Sequence, residues 1–447
     1  MIPCRLADCA DSGSCDVLVI GGGPAGSTAA ALLAGRGYRV ALLEKSRHPR
    51  FHIGESLLPA NLPLLEKLGV AEEVRAIGMV KWGAEFVSPV HERSSTIQFC
   101  DAWDKSMPYA YQVRRSAFDE ILIRNAARKG AEVIEGCRVR EVDFDADGRG
   151  AAIRAEHDDG RVAHWRARFV IDASGRDTFL GNTFKAKHRH PKHNSAAIYA
   201  HFEGAKRHCG KDEGNISIFW FEHGWFWFIP LADGITSVGA VAWPYYMKRR
   251  DKPVREFFLD TIAMCPKLTE RLAGAQIVSE VEATGNYSYV CDRSHGPNYL
   301  LLGDAYAFVD PVFSSGVMLA MQSAFSGTDA VDQCLREPAR AAQALAQFDR
   351  VMRHGPREFS WFIFRVTNPT MRGLMMAPRN ILRMKEAVLS VLAGDIYGRM
   401  PFRLPLYLFR ALYYLVSLAN LPRSIHAWRA RRRNIGVPRE AGASAGP

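Results

Sequence analysis

Gly21-Gly22-Gly23-Pro24-Ala25-Gly26 sets three glycines at G-x-G-x-x-G spacing directly after Asp16-Val17-Leu18-Val19-Ile20. The apolar run reads as a buried strand, and Ser27 to Ala34 reads as a helix. A second apolar run, Val40-Ala41-Leu42-Leu43, ends in Glu44. Strand, tight turn, helix, strand and acid is the context in which this spacing binds a dinucleotide. Gly21 permits the sharp turn, Gly23 lets the backbone approach a pyrophosphate, and Gly26 lets helix and strand close together. Ala25 stands just before Gly26 in the first helical turn, whose N–H groups and positive potential favour phosphate. Glu44 lies where a carboxylate can accept from ribose hydroxyls. A ligand-free glycine turn is the weaker reading. The fingerprint alone does not choose between a flavin and a nicotinamide dinucleotide.

Trp225-Phe226-Trp227-Phe228-Ile229-Pro230 is the second informative run. In an extended strand, residues two apart share a face. Trp225, Trp227 and Ile229 then form one broad apolar wall, with Phe226 and Phe228 on the other side. Such a wall suits an enclosed passage that excludes water. The plainer alternative is a buried strand, since aromatics are ordinary strand residues. His188, His190 and His193 are also clustered, but in a Lys/Arg-rich stretch without carboxylates. A solvated basic loop is the expectation there rather than a metal site.

The elements that position these residues belong to a chain of 447 residues, 48% hydrophobic and 23% charged, enough for two or three structural units. Its nine cysteines are scattered and never spaced C-x-x-C, which argues against a disulfide framework and a zinc site. The formal charge of +11 can attract anionic lipid or an acidic protein. No zinc-finger spacing or arginine-rich repeat accompanies it, so no nucleic-acid partner is expected. Met1 to Cys15 lacks a signal-length apolar run, and Ala411 to Ala419 is too short to span a bilayer. A cytoplasmic protein is expected, with peripheral contact at the inner membrane face as an option.

Two later motifs resolve the choice of dinucleotide. Phe169-Val170-Ile171-Asp172-Ala173-Ser174-Gly175-Arg176 and Tyr299-Leu300-Leu301-Leu302-Gly303-Asp304-Ala305 are both strands ending in small-residue turns. With these three motifs in this order, the chain resembles the FAD-dependent aromatic hydroxylase superfamily over roughly residues 14 to 340. The resemblance implies that Asp304 binds the ribityl chain of FAD. It also implies that Arg115, in Arg115-Ser116-Ala117-Phe118-Asp119, helps fix the flavin.

Within that superfamily the chain resembles the flavin-dependent halogenases. The tryptophan run fits W-x-W-x-I-P, which in that family is associated with keeping organic substrate away from the flavin. Phe308-Val309-Asp310-Pro311-Val312-Phe313-Ser314-Ser315-Gly316 fits F-x-x-P-x-x-S-x-G. Backbone amides around Ser315 and Gly316 match those that hold halide beside the flavin, and a Ser-Gly turn opening a helix can supply converging N–H donors. The family's essential lysine falls at Lys81, after Gly54-Glu55-Ser56-Leu57-Leu58-Pro59. Alone, Lys81 reads as a surface lysine at the start of a strand. In the halogenase reading a desolvated pocket keeps its amine neutral for halogen capture. The tryptophan-directed members carry a glutamate where this chain has Phe313, so the resemblance is closer to halogenases of phenols, pyrroles and carrier-bound aromatics. Glu55 remains an acidic candidate, with packing or hydrogen bonding beside the flavin its expected role.

The resemblance implies the following chemistry. A separate flavin reductase supplies reduced FAD, since the chain has no second glycine fingerprint. Oxygen gives the flavin C4a-hydroperoxide, chloride or bromide becomes hypohalous acid, and Lys81 directs it onto the ring. Rival readings are a monooxygenase or prenyl-type reductase of the same superfamily without halide turnover, and a membrane-associated redox partner. The expected fold is α/β: a discontinuous Rossmann-type FAD-binding domain at 14–185 and 288–340, an inserted substrate-side β-sheet at 186–287, a helical basic region at 341–433, and a disordered tail at 434–447. Three roles suit the basic region: a cap over the active site, which is favoured, a dock for an acidic carrier protein, or a helix lying on an anionic membrane.

Overall fold

The computed structural model describes residues 12–190, 195–285 and 288–435. Ser12–Ile20 is the central strand of the first sheet, with Val162–Asp172 parallel on one side and Val40–Glu44 parallel on the other. Tyr299–Leu301 and Glu132–Glu135 extend the parallel set outward. The central strand is buried on both faces, which is why it reads as a continuous apolar run. Pro24–Gly35 follows it as a helix whose first residue is proline, the position where a missing N–H costs nothing. A doubly wound nucleotide-binding sheet results, with the glycine loop at the carboxyl end of its middle strand.

The second sheet orders its strands as Gln276–Ile277, Ala196–Glu203, Ile235–Ala242, Gly224–Pro230, Ile216–Phe221, Gly83–Ser88 and Arg93–Gln98. The 186–287 boundary expected for it is therefore too narrow. Gly83–Ser88 pairs parallel with Ile216–Phe221, from Ile216 opposite Ala84 to Phe219 opposite Val87. That pairing buries Phe86 against Trp220, their rings 5.5 Å apart. Alternation decides the two faces as expected. Trp225, Trp227 and Ile229 join one apolar cluster, while Phe226 and Phe228 join another beneath the helix Val254–Ala263.

The helices Gly316–Arg336, Ala341–Ile363, Pro369–Met376, Met384–Leu392, Arg403–Ala419 and Leu421–Ile435 follow. The last of them runs through Ile435, so the boundary expected at 434 is two residues early. Residues 436–447 of the expected tail lie outside the described residues. Phe359, Phe362, Met371, Met375 and Leu392 from these helices share the cluster of Trp225 and Trp227. They cover the tryptophan face as a cap does.

Candidate active site

The glycine loop has the geometry its sequence demands. Gly21 has φ +101°, and a Cβ there would meet the Ala173 carbonyl oxygen at 2.5 Å. A Cβ on Gly26 would lie 1.9 Å from the Gly21 carbonyl oxygen. Gly23 is different: the nearest atom to a Cβ there is Nη2 of Arg50 at 3.7 Å. Room beside backbone, a helix N-terminus and a guanidinium suit a pyrophosphate. Ala25 is buried in the first turn. Both oxygens of Glu44 accept backbone N–H groups, from Gly22 at 2.6 Å and Ser46 at 2.8 Å. Glu44 thus fixes the loop, and each oxygen keeps a lone pair for a ribose hydroxyl.

Arg50 was not singled out by sequence. Its guanidinium lies 3.8 Å from Glu44 and 3.4 Å from Asp119. Asp119 also takes both forks of Arg115, at 2.8 and 3.0 Å. Nη1 of Arg115 donates to the carbonyls of Ile53 and Gly54, at 3.2 and 3.3 Å. Arg115 therefore ties its helix to the segment that begins Gly54-Glu55-Ser56. Asp304 follows the Tyr299–Leu301 strand, and burial pushes its carboxyl up to about 6 against the pull of Arg176 and Arg115. Among the described residues nothing hydrogen-bonds that carboxyl group, which leaves it to meet a hydroxyl such as that of a ribityl chain. Loop, acid and carboxylate together fit FAD.

Asp310 to Met318 forms the next part of the site. The Asp310 carboxylate accepts from Ser195 Oγ at 2.8 Å and from the Val312 N–H at 3.3 Å. Ser314 has φ +56°, which turns the chain sharply into Ser315, the N-cap of the helix Gly316–Arg336. Ser315 is 1% exposed, and its Oγ has no hydrogen-bond partner among the described residues. The N–H groups that open this helix have no helical carbonyl to meet. A Cβ on Gly316 would touch nothing within 4 Å. An unsatisfied hydroxyl, free N–H groups and open space form a small anion-compatible corner. Phe313 is buried and meets Phe362 of the cap edge-on at 6.5 Å.

Lys81 ends the short strand Met79–Lys81 and is 1% exposed, unlike an ordinary strand lysine. Its Nζ donates to Ser56 Oγ at 2.9 Å and to the Leu57 carbonyl at 3.0 Å, and lies 5.2 Å from the Phe99 ring centre. Burial lowers its pKa from 10.5 to about 7. The partners explain the direction. Two acceptors satisfy the two protons of a neutral amine, and a third proton would point into apolar surroundings. Neighbouring Glu55 is also buried, and both its oxygens meet Nε2 of His201, at 2.9 and 3.2 Å. His201 went unnoticed in the sequence, because only folding brings the strand Ala196–Glu203 to residue 55.

The lysine and the anion-compatible corner border one apolar layer. Leu58, Phe99, Val312, Phe313, Met318, Trp225, Trp227 and Ile229 all belong to it. Leu58 follows the carbonyl that holds the amine, Phe99 lies under it, and Met318 is in the first turn after Ser315. The Trp225 and Trp227 rings are 6.1 Å apart, and Trp227 donates from Nε1 to Ser237 Oγ at 3.1 Å. Gly239 makes this possible, since a Cβ there would lie 2.2 Å from the indole. The wall is a packed layer, with a narrow cleft beside Trp225 bordered by Ser195, Asp310 and Thr367.

Among the described residues no group of three His, Cys, Asp or Glu could hold a metal. His188 pairs with Asp292 at 2.7 Å, and His190 lies against Phe364, while His193 falls outside the described residues. No single described helix is long and apolar enough to cross a membrane.

Residues 14–350 match the FAD binding domain family. The chain is 34% identical over 349 residues to a tryptophan 2-halogenase of Chondromyces crocatus, covering 75% of this chain and 65% of that protein. It is 30% identical over 406 residues to a 1H-pyrrole-2-carbonyl-(peptidyl-carrier protein) chlorinase of Pseudomonas fluorescens, covering 86% and 90% respectively. Among solved structures, the myxobacterial chondrochloren halogenase CndH aligns with a TM-score of 0.76 at 34% identity, over 87% of this chain and 92% of that one. A flavoprotein/dehydrogenase of Cytophaga hutchinsonii aligns with a TM-score of 0.83 at 28% identity, over 91% and 100%.

Proposed function

The chain belongs to the flavin-dependent halogenases, and from that premise we propose that it halogenates an electron-rich aromatic ring, a phenol or a pyrrole, through the amine of Lys81. The observation that carries this is the pairing of that amine with Ser56 Oγ and the Leu57 carbonyl, at the edge of the layer of Trp225 and Trp227. Bound reduced FAD, with oxygen, supplies the oxidation of halide to hypohalous acid. Gly21, Gly23, Ala25, Gly26, Glu44 and Arg50 would hold its phosphates and ribose, Asp304 its ribityl chain, and Arg115 and Gly316 would help fix the flavin. The reduced cofactor comes from a separate flavin reductase.

Chloride or bromide sits at Ser315 and Gly316, where the helix N-terminus and the Ser315 hydroxyl donate to it. The neutral Lys81 amine keeps its lone pair free because both its protons are already donated. It captures halogen from hypohalous acid, forming an N–halogen bond and releasing water. The ring then takes the halogen, and its displaced proton returns to the amine. Charge balance and atom balance both close without a second acid. The carboxylate of the tryptophan-directed enzymes is replaced by Phe313, so the substrate must bring its own electron density. A ring presented on a carrier protein fits this reading, since the pyrrole chlorinase is named for such a substrate.

The test supplies the purified protein with FAD, a flavin reductase, NADH, oxygen, and chloride or bromide. A panel of phenols, pyrroles and a carrier-bound pyrrole-2-carbonyl thioester is scored by the isotope pattern of the product. Halogenated product from an electron-rich ring supports the reading. Hydroxylated product without halogen, from the same panel, overturns it in favour of an ordinary oxygenase.

A further inference from the structure

The helices Arg403–Ala419 and Leu421–Ile435 carry an apolar stripe on the side turned away from the protein. On the first helix, Leu406 and Tyr413 are buried against the cap, as an amphipathic helix requires. The opposite side should be polar, yet Leu404, Tyr407, Leu415 and Leu418 are exposed there, three of them by more than 60%. The spacing of three, eight and three residues keeps them on one side of a helix. Beyond the break, Leu421, Ile425 and Trp428 repeat the pattern at four and three residues, with Trp428 55% exposed. The two helices meet at 96°. Residues 403–435 contain seven arginines and neither aspartate nor glutamate. Arg410 is paired with Glu358 at 2.6 Å, while Arg403, Arg423 and Arg429 form no ion pair with any described residue.

We propose that this helix elbow docks on an anionic lipid bilayer, lying in the interface rather than crossing it. The first helix has 17 residues, about 25 Å of rise, which is short of the hydrocarbon core. Leucine and isoleucine enter the acyl boundary, tyrosine and tryptophan sit at headgroup depth, and arginines meet lipid phosphate. A water-soluble acidic protein would meet the arginines and leave the leucines unexplained. A second copy would bring seven further arginines against these seven, with no carboxylate in either segment to balance them. Charge therefore selects lipid phosphate over both.

Flotation of the full-length, FAD-loaded protein with vesicles tests this. Vesicles of about one-third phosphatidylglycerol in phosphatidylcholine should carry the protein upward, and pure phosphatidylcholine should carry far less. Leu415→Glu with Leu418→Glu should abolish flotation with FAD content unchanged. Arg423→Gln with Arg429→Gln, both fully surface changes, should weaken binding on the order of tenfold, at about fivefold or less per arginine, and salt near ~0.5 M should weaken it similarly. Absence of flotation on anionic vesicles overturns the proposal. So does an undiminished response from both double variants, or loss of a dimer or of an acidic carrier complex in the leucine variant without any vesicle binding. None of these readings depends on turnover, so they stand or fall apart from the halogenation chemistry.

Discussion

At Ser315 the polar groups bordering the apolar layer are the backbone N–H groups of a helix end and one side-chain hydroxyl. At Lys81 they are those of a single side chain, held by a second hydroxyl and a carbonyl from a loop. The first arrangement suits an anion that must arrive and leave, because N–H groups carry no net charge to satisfy when it departs. The second suits a nucleophile, because burial disfavours the proton that would block its lone pair. The difference shows how one water-poor layer can serve two opposite electrostatic tasks. It also predicts that side-chain replacement is far more damaging at one end than at the other.

The largest effect is expected from Lys81→Met. Product should fall at least about a hundredfold, with FAD binding and oxygen consumption retained, when halogenated product and oxygen uptake are measured together. The effect on stability should depend on pH. The lysine has its pKa lowered to about 7, so between about 7 and 10.5 the unfolded chain holds a proton that the native state has released. The group therefore costs stability below about 10.5, and the full cost is present below about 7. Replacement by methionine removes that cost but leaves the Ser56 hydroxyl and the Leu57 carbonyl without their donor, so in urea titrations the variant's stability relative to the unaltered chain should fall as pH rises from about 7 to 10.5. A stability difference that does not change over that pH range would count against the desolvated amine.

Gly316→Val should have the middle effect. Space around its Cβ is open, so folding and Tm should stay close to those of the unaltered chain. The added methyl groups should crowd the corner proposed for halide and raise the KM for bromide about tenfold, with kcat at saturating halide changed much less. An unchanged halide KM would separate the Ser315 corner from the reaction.

The smallest effect is expected at His201, whose Nε2 meets Glu55 next to the Ser56 hydroxyl that accepts from the amine. His201→Leu strips the buried Glu55 carboxylate of its donor and should cost about 1–3 kcal/mol of stability. It should also lower the ratio of product to oxygen consumed severalfold, because Ser56 no longer holds Lys81 firmly. His201→Gln, which restores one N–H, should recover most of that ratio. Equal coupling in both variants would reduce the pair to a packing role.

Local patterns were the legible part of this molecule. The glycine loop, Glu44 and the alternating tryptophan strand are short-range signals, and each is realised where its spacing puts it. Partners distant along the chain were not legible. Strand Gly83–Ser88 joins the second sheet through residues 216–219, and nothing in its own few residues announces that pairing. Lys81 reads locally as an exposed lysine, and its burial is made by Phe99, Leu57 and Ser56 together. Arg50 and His201 are ordinary residues in their own segments and acquire meaning only from Gly23 and Glu55. Gly239 carries no signal in its own segment and matters only as the space for the Trp227 indole.

The pH dependence of ring halogenation, measured as product formed from an added phenol at saturating halide and with constant flavin reduction, tests the neutral amine most directly. Because burial brings the Lys81 pKa down to about 7, yield should climb with pH through that value and level off above it, while oxygen uptake stays flat. Yield that falls across the same range, or follows oxygen uptake at every pH, would contradict halogen capture by the unprotonated lysine.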